Sequence, residues 1–186
     1  MHRFEFIKTQ IEGLLLVRRK CIEDDRGFLS RLYCAEEFAS AGVHKAILQI
    51  NHTLTRRKGA VRGMHFQRPP YAETKFVSCL RGELLDVAVD LRKSSRTFLN
   101  WHAEILSAQN QCGMLIPEGF AHGFQTLTDD CEVVYLNTAA YRKAAEAALN
   151  PNDSRVAIKW PLEITDISDR DKSHPMLAED FEGIVQ

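Results

Sequence analysis

Residues 75–92, KFVSCLRGELLDVAVDLR, hold two apolar-rich runs of strand length separated by Arg81-Gly82. In the second run Leu85, Val87, Val89 and Leu91 alternate with Asp86, Ala88 and Asp90, the period-two pattern of a strand with one packed face. With glycine at the junction, the pair reads as a hairpin. Similar short runs recur between glycine turns at Gly59, Gly82, Gly113 and Gly119, so the fold class is mainly β, a sandwich or barrel. Helix signals are few: CAEEFASAG stopping at Gly42, YRKAAEAAL before Asn150-Pro151, and the C-terminal LAEDFEGI.

No repeat, low-complexity tract or Pro/Gly linker divides the 186 residues, which predicts a single domain over 1–186. A formal net charge of -1 leaves no electrostatic footprint for nucleic acid. The RRK runs at 18–20 and 56–58 are too short to change that and are expected to be solvated. The apolar run ending at Val17 is shorter than a leader-peptide core or a membrane span, so the expectation is a cytoplasmic protein with no membrane partner. Five widely spread cysteines without a CxxC pair suggest neither a disulfide framework nor a zinc site.

Two segments carry candidate chemistry. In ILQINHTLT, Leu48, Ile50 and Leu54 alternate with Gln49, Asn51, Thr53 and Thr55. The polar side faces either water, as one face of an antiparallel sheet often does, or a cavity of the kind found in small ligand-holding barrels. The next run, VRGMHFQ, places Arg62 and His65 on opposite faces if alternation is strict. Gly63 is a natural position for a bulge that brings both to one side.

His65 has three readings: a structural histidine, a metal ligand, or a base. A metal site of the cupin type calls for two histidines two apart plus a carboxylate, but Gly63 and Gln67 flank His65. His122 in PEGFAHGFQ leaves the ligand set incomplete, and no metal is expected. A base is the stronger reading, because imidazole accepts protons near neutral pH and Lys75, Tyr135 and Asp171 are available for proton chemistry. Spacing alone assigns none of them a role.

Taken in order, DDRGFLSRLY, QINHTLTRRKGAVRGMHFQ, Lys75, GELLDVAVDLRKSSRTF, IPEGFAHGFQTL, VVYLNTAAY, IKWP and ISDRD resemble the dTDP-4-dehydrorhamnose 3,5-epimerase family from about residue 20 to residue 176. The resemblance implies a cupin-like jelly-roll β barrel with a few short helices, working as a homodimer with exchanged N-terminal strands and without metal or organic cofactor. It implies that His65 is the base, Asp171 its partner, Lys75 the group near the substrate keto oxygen and Tyr135 the acid. Arg62, Gln49, Asn51, His122 and Arg26 fall on positions lining the sugar and diphosphate site, and Arg170 is a further candidate of that kind.

The implied substrate is a nucleotide-diphosphate 4-keto-6-deoxy sugar, inverted at carbon 3, carbon 5 or both, in deoxysugar biosynthesis. The chain departs from members acting on thymidine nucleotides at Arg31, where Glu is common, and at Ala140, where an aromatic precedes the tyrosine corresponding to Tyr141. Both positions belong to the family's nucleotide-binding part, so weaker discrimination for thymidine is expected. A sugar-nucleotide ketoisomerase and a non-catalytic sugar-binding barrel are the alternatives. Retention of all four proton-transfer residues argues against the latter.

Overall fold

The computed structural model describes residues 2–185. Its strands are β1 (Phe4–Lys8), β2 (Leu15–Arg19), β3 (Ile22–Asp24), β4 (Gly27–Leu29), β5 (Gln49–Thr55), β6 (Ala60–Gln67), β7 (Lys75–Arg81), β8 (Glu83–Asp90), β9 (Trp101–Ser107), β10 (Cys112–Ile116), β11 (Phe120–Thr126), β12 (Cys131–Asn137), β13 (Glu146–Ala148) and β14 (Asp166–Ile167). Two short helices, α1 (Ala35–Ser40) and α2 (Asp169–Lys172), complete the described elements. One sheet has the order β1-β2-β10-β7-β12-β5, the other β13-β6-β11-β8-β9 with β14 added parallel to β6, and β3-β4 forms a separate hairpin. The strand pattern predicted a mainly β sandwich or barrel, and the arrangement is the jelly roll that the family resemblance implied.

Alternation along the strands builds three apolar layers. Val77 and Cys79 of β7, Leu84 and Ala88 of β8, Met114 of β10, Phe124 of β11 and Val133 of β12 meet in one buried cluster between the sheets. Each fully buried Leu or Met there stabilises the fold by about 1.5–3 kcal/mol. Phe38 of α1 packs with Phe4, Phe76, Leu115 and Leu136 over the outer face of the first sheet. Leu149, Val156 and Ile184 cover Met64, Val87, Val89 and Leu91 on the outer face of the second.

The structure corrects several expectations. Strands β7 and β8 do not form a hairpin: β7 pairs with β10 and β12, β8 with β11 and β9, and Gly82, at φ +77°, is a corner between sheets. A glycine turn between two apolar runs gives the same sequence signal for both geometries. Nor does β8 have a single packed face. Leu84 and Ala88 point into the interior cluster while Val87, Val89 and Leu91 pack under the C-terminal segment.

YRKAAEAAL is not a helix but a turn leading into β13, which pairs Glu146 with Gln67, Ala147 with Phe66 and Ala148 with His65. A nine-residue helix is marginal by itself. Pairing with β6, reinforced by the Arg142 N–H donating to Gln67 Oε1 at 2.6 Å, outweighs alanine's helical preference. LAEDFEGI is drawn out by Ile184, whose N–H donates to the Leu91 carbonyl at 2.6 Å while its side chain joins the outer cluster. Finally, Arg19 of the first RRK run is buried rather than solvated, and its Nε donates to the Gln111 carbonyl at 3.3 Å.

Candidate active site

Strand β6 is the centre of the site because it departs from regular pairing. Against β11, His65 pairs with His122 but Arg62 pairs with Phe124, so β6 carries one extra residue at Gly63–Met64. Gly63 sits at φ +139°, and a Cβ there would lie 2.5 Å from the Gly123 Cα, a position closed to any other residue. The bulge turns both Arg62 and His65 into the space between the sheets. It also aims the Gly63 N–H at Asp171 Oδ2, 3.2 Å away.

That space is a polar cavity with two lobes of about 320 and 450 Å³, both walled by His65, Lys75, Tyr135 and Arg170. Gln49, Asn51, Tyr141 and Glu73 belong to the first lobe, and Arg62, His122, Thr53 and Asp171 to the second. The polar side of β5 therefore faces a cavity. The apolar side faces outward, leaving Leu48 and Ile50 more than 60% exposed, at 63% and 64%.

Asp171 is fixed by its backbone N–H, which donates to the capping Ser168 Oγ of α2 at 3.0 Å. Its Oδ1 lies 2.8 Å from His65 Nε2. Burial opposes ionisation of this carboxyl, but the hydrogen bond and charge of His65, the Gly63 N–H and the Arg170 guanidinium outweigh it and bring its pKa down to about 2. His65 itself is lowered from 6.5, chiefly by burial and further by Lys75 and Arg170, against the opposing pull of Asp171. At neutral pH the pair is thus a carboxylate and a neutral imidazole. With Nε2–H donating to Asp171, Nδ1 is left as a proton acceptor.

The facing wall belongs to the other sheet. Tyr135 on β12 has its pKa raised by burial, with Arg62 opposing, and so stays a phenol at neutral pH. Lys75 at the start of β7 donates from Nζ to the His65 carbonyl at 3.1 Å and pairs with Glu73 Oε1 at 3.1 Å. Gln49 Nε2 donates to Asn51 Oδ1 at 3.0 Å and accepts the Tyr141 N–H on Oε1 at 3.0 Å, holding that ring at the rim. Arg62 Nε donates to Thr55 Oγ1 at 2.8 Å, and Arg170 Nη1 donates to Glu146 at 3.1 Å.

Of the twelve residues singled out from the sequence, ten are on the cavity wall. Arg26 and Arg31 are not. Arg26 is tied to Asp24 at 2.6 Å at the tip of the exposed β3–β4 hairpin, and Arg31 turns to Glu37 at 3.6 Å. Each is paired instead with an acid close to it in sequence, Asp24 in β3 and Glu37 in α1.

Sequence reasoning missed Glu73, Glu146, Asp86 and His174. Asp86, fully buried, backs His122 with an Oδ1–Nε2 distance of 2.7 Å, a second histidine–carboxylate pair signalled only by a polar residue within an apolar strand. His174 brings Nε2 to 3.4 Å from Asp171 Oδ1, and nothing in DKSHP marks it.

A jelly-roll barrel with acid and base groups facing one another across an internal polar cavity is built for proton transfer to and from a bound small molecule, the class of chemistry an isomerase performs. The family profile described as dTDP-4-dehydrorhamnose 3,5-epimerase matches residues 8–179. The chain is 42% identical over 166 residues to the dTDP-4-dehydrorhamnose 3,5-epimerase of Shigella flexneri, covering 89% of this chain and 91% of that protein. The Bacillus anthracis enzyme of that name, solved with TDP and pyrophosphate, superposes with a TM-score of 0.90 at 37% identity, covering 94% of this chain and 99% of that one. A Legionella pneumophila dTDP-6-deoxy-D-glucose-3,5-epimerase in complex with dTDP-4-keto-L-rhamnose gives a TM-score of 0.89 at 35% identity, covering 93% and 92%. The chain belongs to the dTDP-4-dehydrorhamnose 3,5-epimerase family.

Proposed function

We propose that this chain inverts carbons 3 and 5 of a dTDP-linked 4-keto-6-deoxyhexose by proton transfer, in deoxysugar biosynthesis. The observation that carries the reading is the pair formed at 2.8 Å by His65 of β6 and Asp171 of the adjoining helix α2, with Tyr135 and Lys75 supplied by the other sheet. A ketone at carbon 4 acidifies the protons on its two neighbours. His65 takes one of them on Nδ1, and Asp171 stabilises the imidazolium that forms. Lys75 supplies positive charge to the enolate oxygen, and Tyr135 returns a proton to the opposite face of the same carbon. The phenolate is then reprotonated from solvent and His65 releases its proton, so the enzyme is regenerated without net consumption of protons. Arg62, Arg170, Gln49, Asn51, His122 and Tyr141 hold the sugar and the nucleoside diphosphate, for which an arginine fork pairs two oxygens at once.

The active form in this reading is a homodimer. The outward apolar face of β5 and the exposed Phe28 and Leu29 of the β3–β4 hairpin are surfaces a single chain leaves uncovered. Laid over β5 of a second copy, the hairpin would carry Arg26 and Arg31 toward the partner's cavity. Five free cysteines suit the reducing cytoplasm, where we place the enzyme; among the described residues no helix is long and apolar enough to cross a membrane.

Incubation with dTDP-4-keto-6-deoxyglucose in deuterated water tests the function. Deuterium at carbons 3 and 5 with inversion at both is expected. Migration of the keto group would point to a ketoisomerase, and binding without exchange to a sugar-binding barrel. Running the same sugar on uridine, cytidine and guanosine diphosphates tests the carrier.

A further inference from the structure

His65, Asp171 and His174 bring three potential ligand atoms within 4.8 Å of one another. Two are imidazole nitrogens and one is a carboxylate oxygen. His65 Nε2 and His174 Nε2 lie 2.8 and 3.4 Å from Asp171 Oδ1. Tetrahedral zinc with ligands at about 2.0–2.2 Å places neighbouring ligand atoms about 3.3–3.6 Å apart, so these separations need adjustment by less than an ångström or so.

His174 is held ready by its backbone. Asn150 Nδ2 donates to the Lys172 and His174 carbonyls at 3.1 and 3.0 Å, and the Asn150 N–H donates to the Pro175 carbonyl at 3.0 Å. Yet the His174 Nε2 atom is buried and makes no hydrogen bond among the described residues. An imidazole nitrogen pinned beside a carboxylate and left without a hydrogen bond is poised for a ligand.

We propose that His65, Asp171 and His174 bind a borderline divalent transition metal of the zinc, cobalt or nickel kind, and that its binding shuts off proton transfer. Two imidazoles and one carboxylate favour such ions over magnesium or calcium, which take oxygen ligands. The metal takes the lone pair of His65 Nε2 in the other neutral tautomer, so the ring proton sits on Nδ1, the atom that would accept the substrate proton, and it takes the Asp171 oxygen that would support the imidazolium. Water fills the fourth position. Competing for the same place is the Arg170 guanidinium, whose Nη2 lies 3.2 Å from His65 Nε2. Arg170 is half-exposed and already paired with Glu146, so it can withdraw toward that acid when the metal enters. The inhibition rests on His65 being the base; the binding does not.

Co²⁺ titrated into chelator-treated protein supplies the test, read by its visible d–d bands and by calorimetry, with deuterium exchange into the sugar followed in parallel. One equivalent per chain is expected, with tetrahedral bands and exchange lost in step with occupancy. His174→Gln should bind at least about tenfold more weakly and keep its exchange activity in the presence of metal. Arg170→Ala should bind about tenfold or more tightly, since it removes a like charge; damage to the fold would weaken both variants. Absence of stoichiometric binding, or equal affinity in His174→Gln, overturns the site. Full activity in the Co²⁺-loaded protein overturns the inhibition. Stoichiometric binding by a protein that never exchanges deuterium into the sugar would leave the site standing while the proposed function falls.

Discussion

Asp171→Asn replaces one oxygen of a buried carboxylate by an amide and should act on both stability and turnover. In the folded chain this carboxyl is held at about 2, against 3.8 for an ordinary aspartate. At about 1.4 kcal/mol per pH unit, that gap corresponds to about 2 kcal/mol of stabilisation by the ionised form. An acid whose pKa is depressed by folding stabilises the fold above its unfolded value, and the contribution is lost as pH falls through the folded one. Wild type should therefore melt about 4–8 °C above Asp171→Asn at pH 6, a gap that closes between pH 4 and pH 2. Turnover should fall by about three to four orders of magnitude at neutral pH, because an amide presents a donor to His65 and favours the wrong imidazole tautomer. Thermal melts from pH 6 to pH 2 and single-turnover kinetics measure the two effects. Parallel melting curves at every pH would refute the electrostatic account, and near-normal turnover would reduce Asp171 to a structural loop residue.

Tyr135→Phe should retain deuterium exchange better than net inversion, since it loses the acid and not the base; equal loss of both would make the tyrosine structural. Gly63→Ala drives a Cβ to 2.5 Å from the Gly123 backbone at a positive φ, and denaturant titration should show a loss of about 2–5 kcal/mol, an unchanged midpoint counting against the bulge. Ile50→Lys places a charge on the exposed apolar face of β5 and should shift sedimentation toward a monomer with a raised KM. A variant that sediments as wild type would leave the dimer surface elsewhere.

How much of this was legible depended on whether local sequence or tertiary context decided the outcome. VRGMHFQ announced a strand containing a glycine, and only a bulge there lets Arg62 and His65 share a cavity. The inverted alternation of β5, polar inward and apolar outward, was equally visible as a pattern, but which side met water depended on the opposing sheet. Gly82 could not distinguish a hairpin from a corner, because both place glycine at positive φ between apolar runs. Residues 141–149 read as a helix by composition, yet the unpaired edge of β6 offered their backbone a better partner. Glu73 and His174 lie in irregular segments, where no periodicity reports which side chains converge, and only the folded chain brings them to Lys75 and Asp171.

The most direct test compares wild type with His65→Asn, incubated with dTDP-4-keto-6-deoxyglucose in deuterated water and followed by proton NMR at carbons 3 and 5. Loss of general-base catalysis is worth about a hundred- to ten-thousandfold. Exchange at both carbons is expected to fall by that factor, with substrate affinity kept within severalfold by the unchanged cavity. Exchange in His65→Asn at the wild-type rate would contradict it, and the base would have to be sought elsewhere in the cavity.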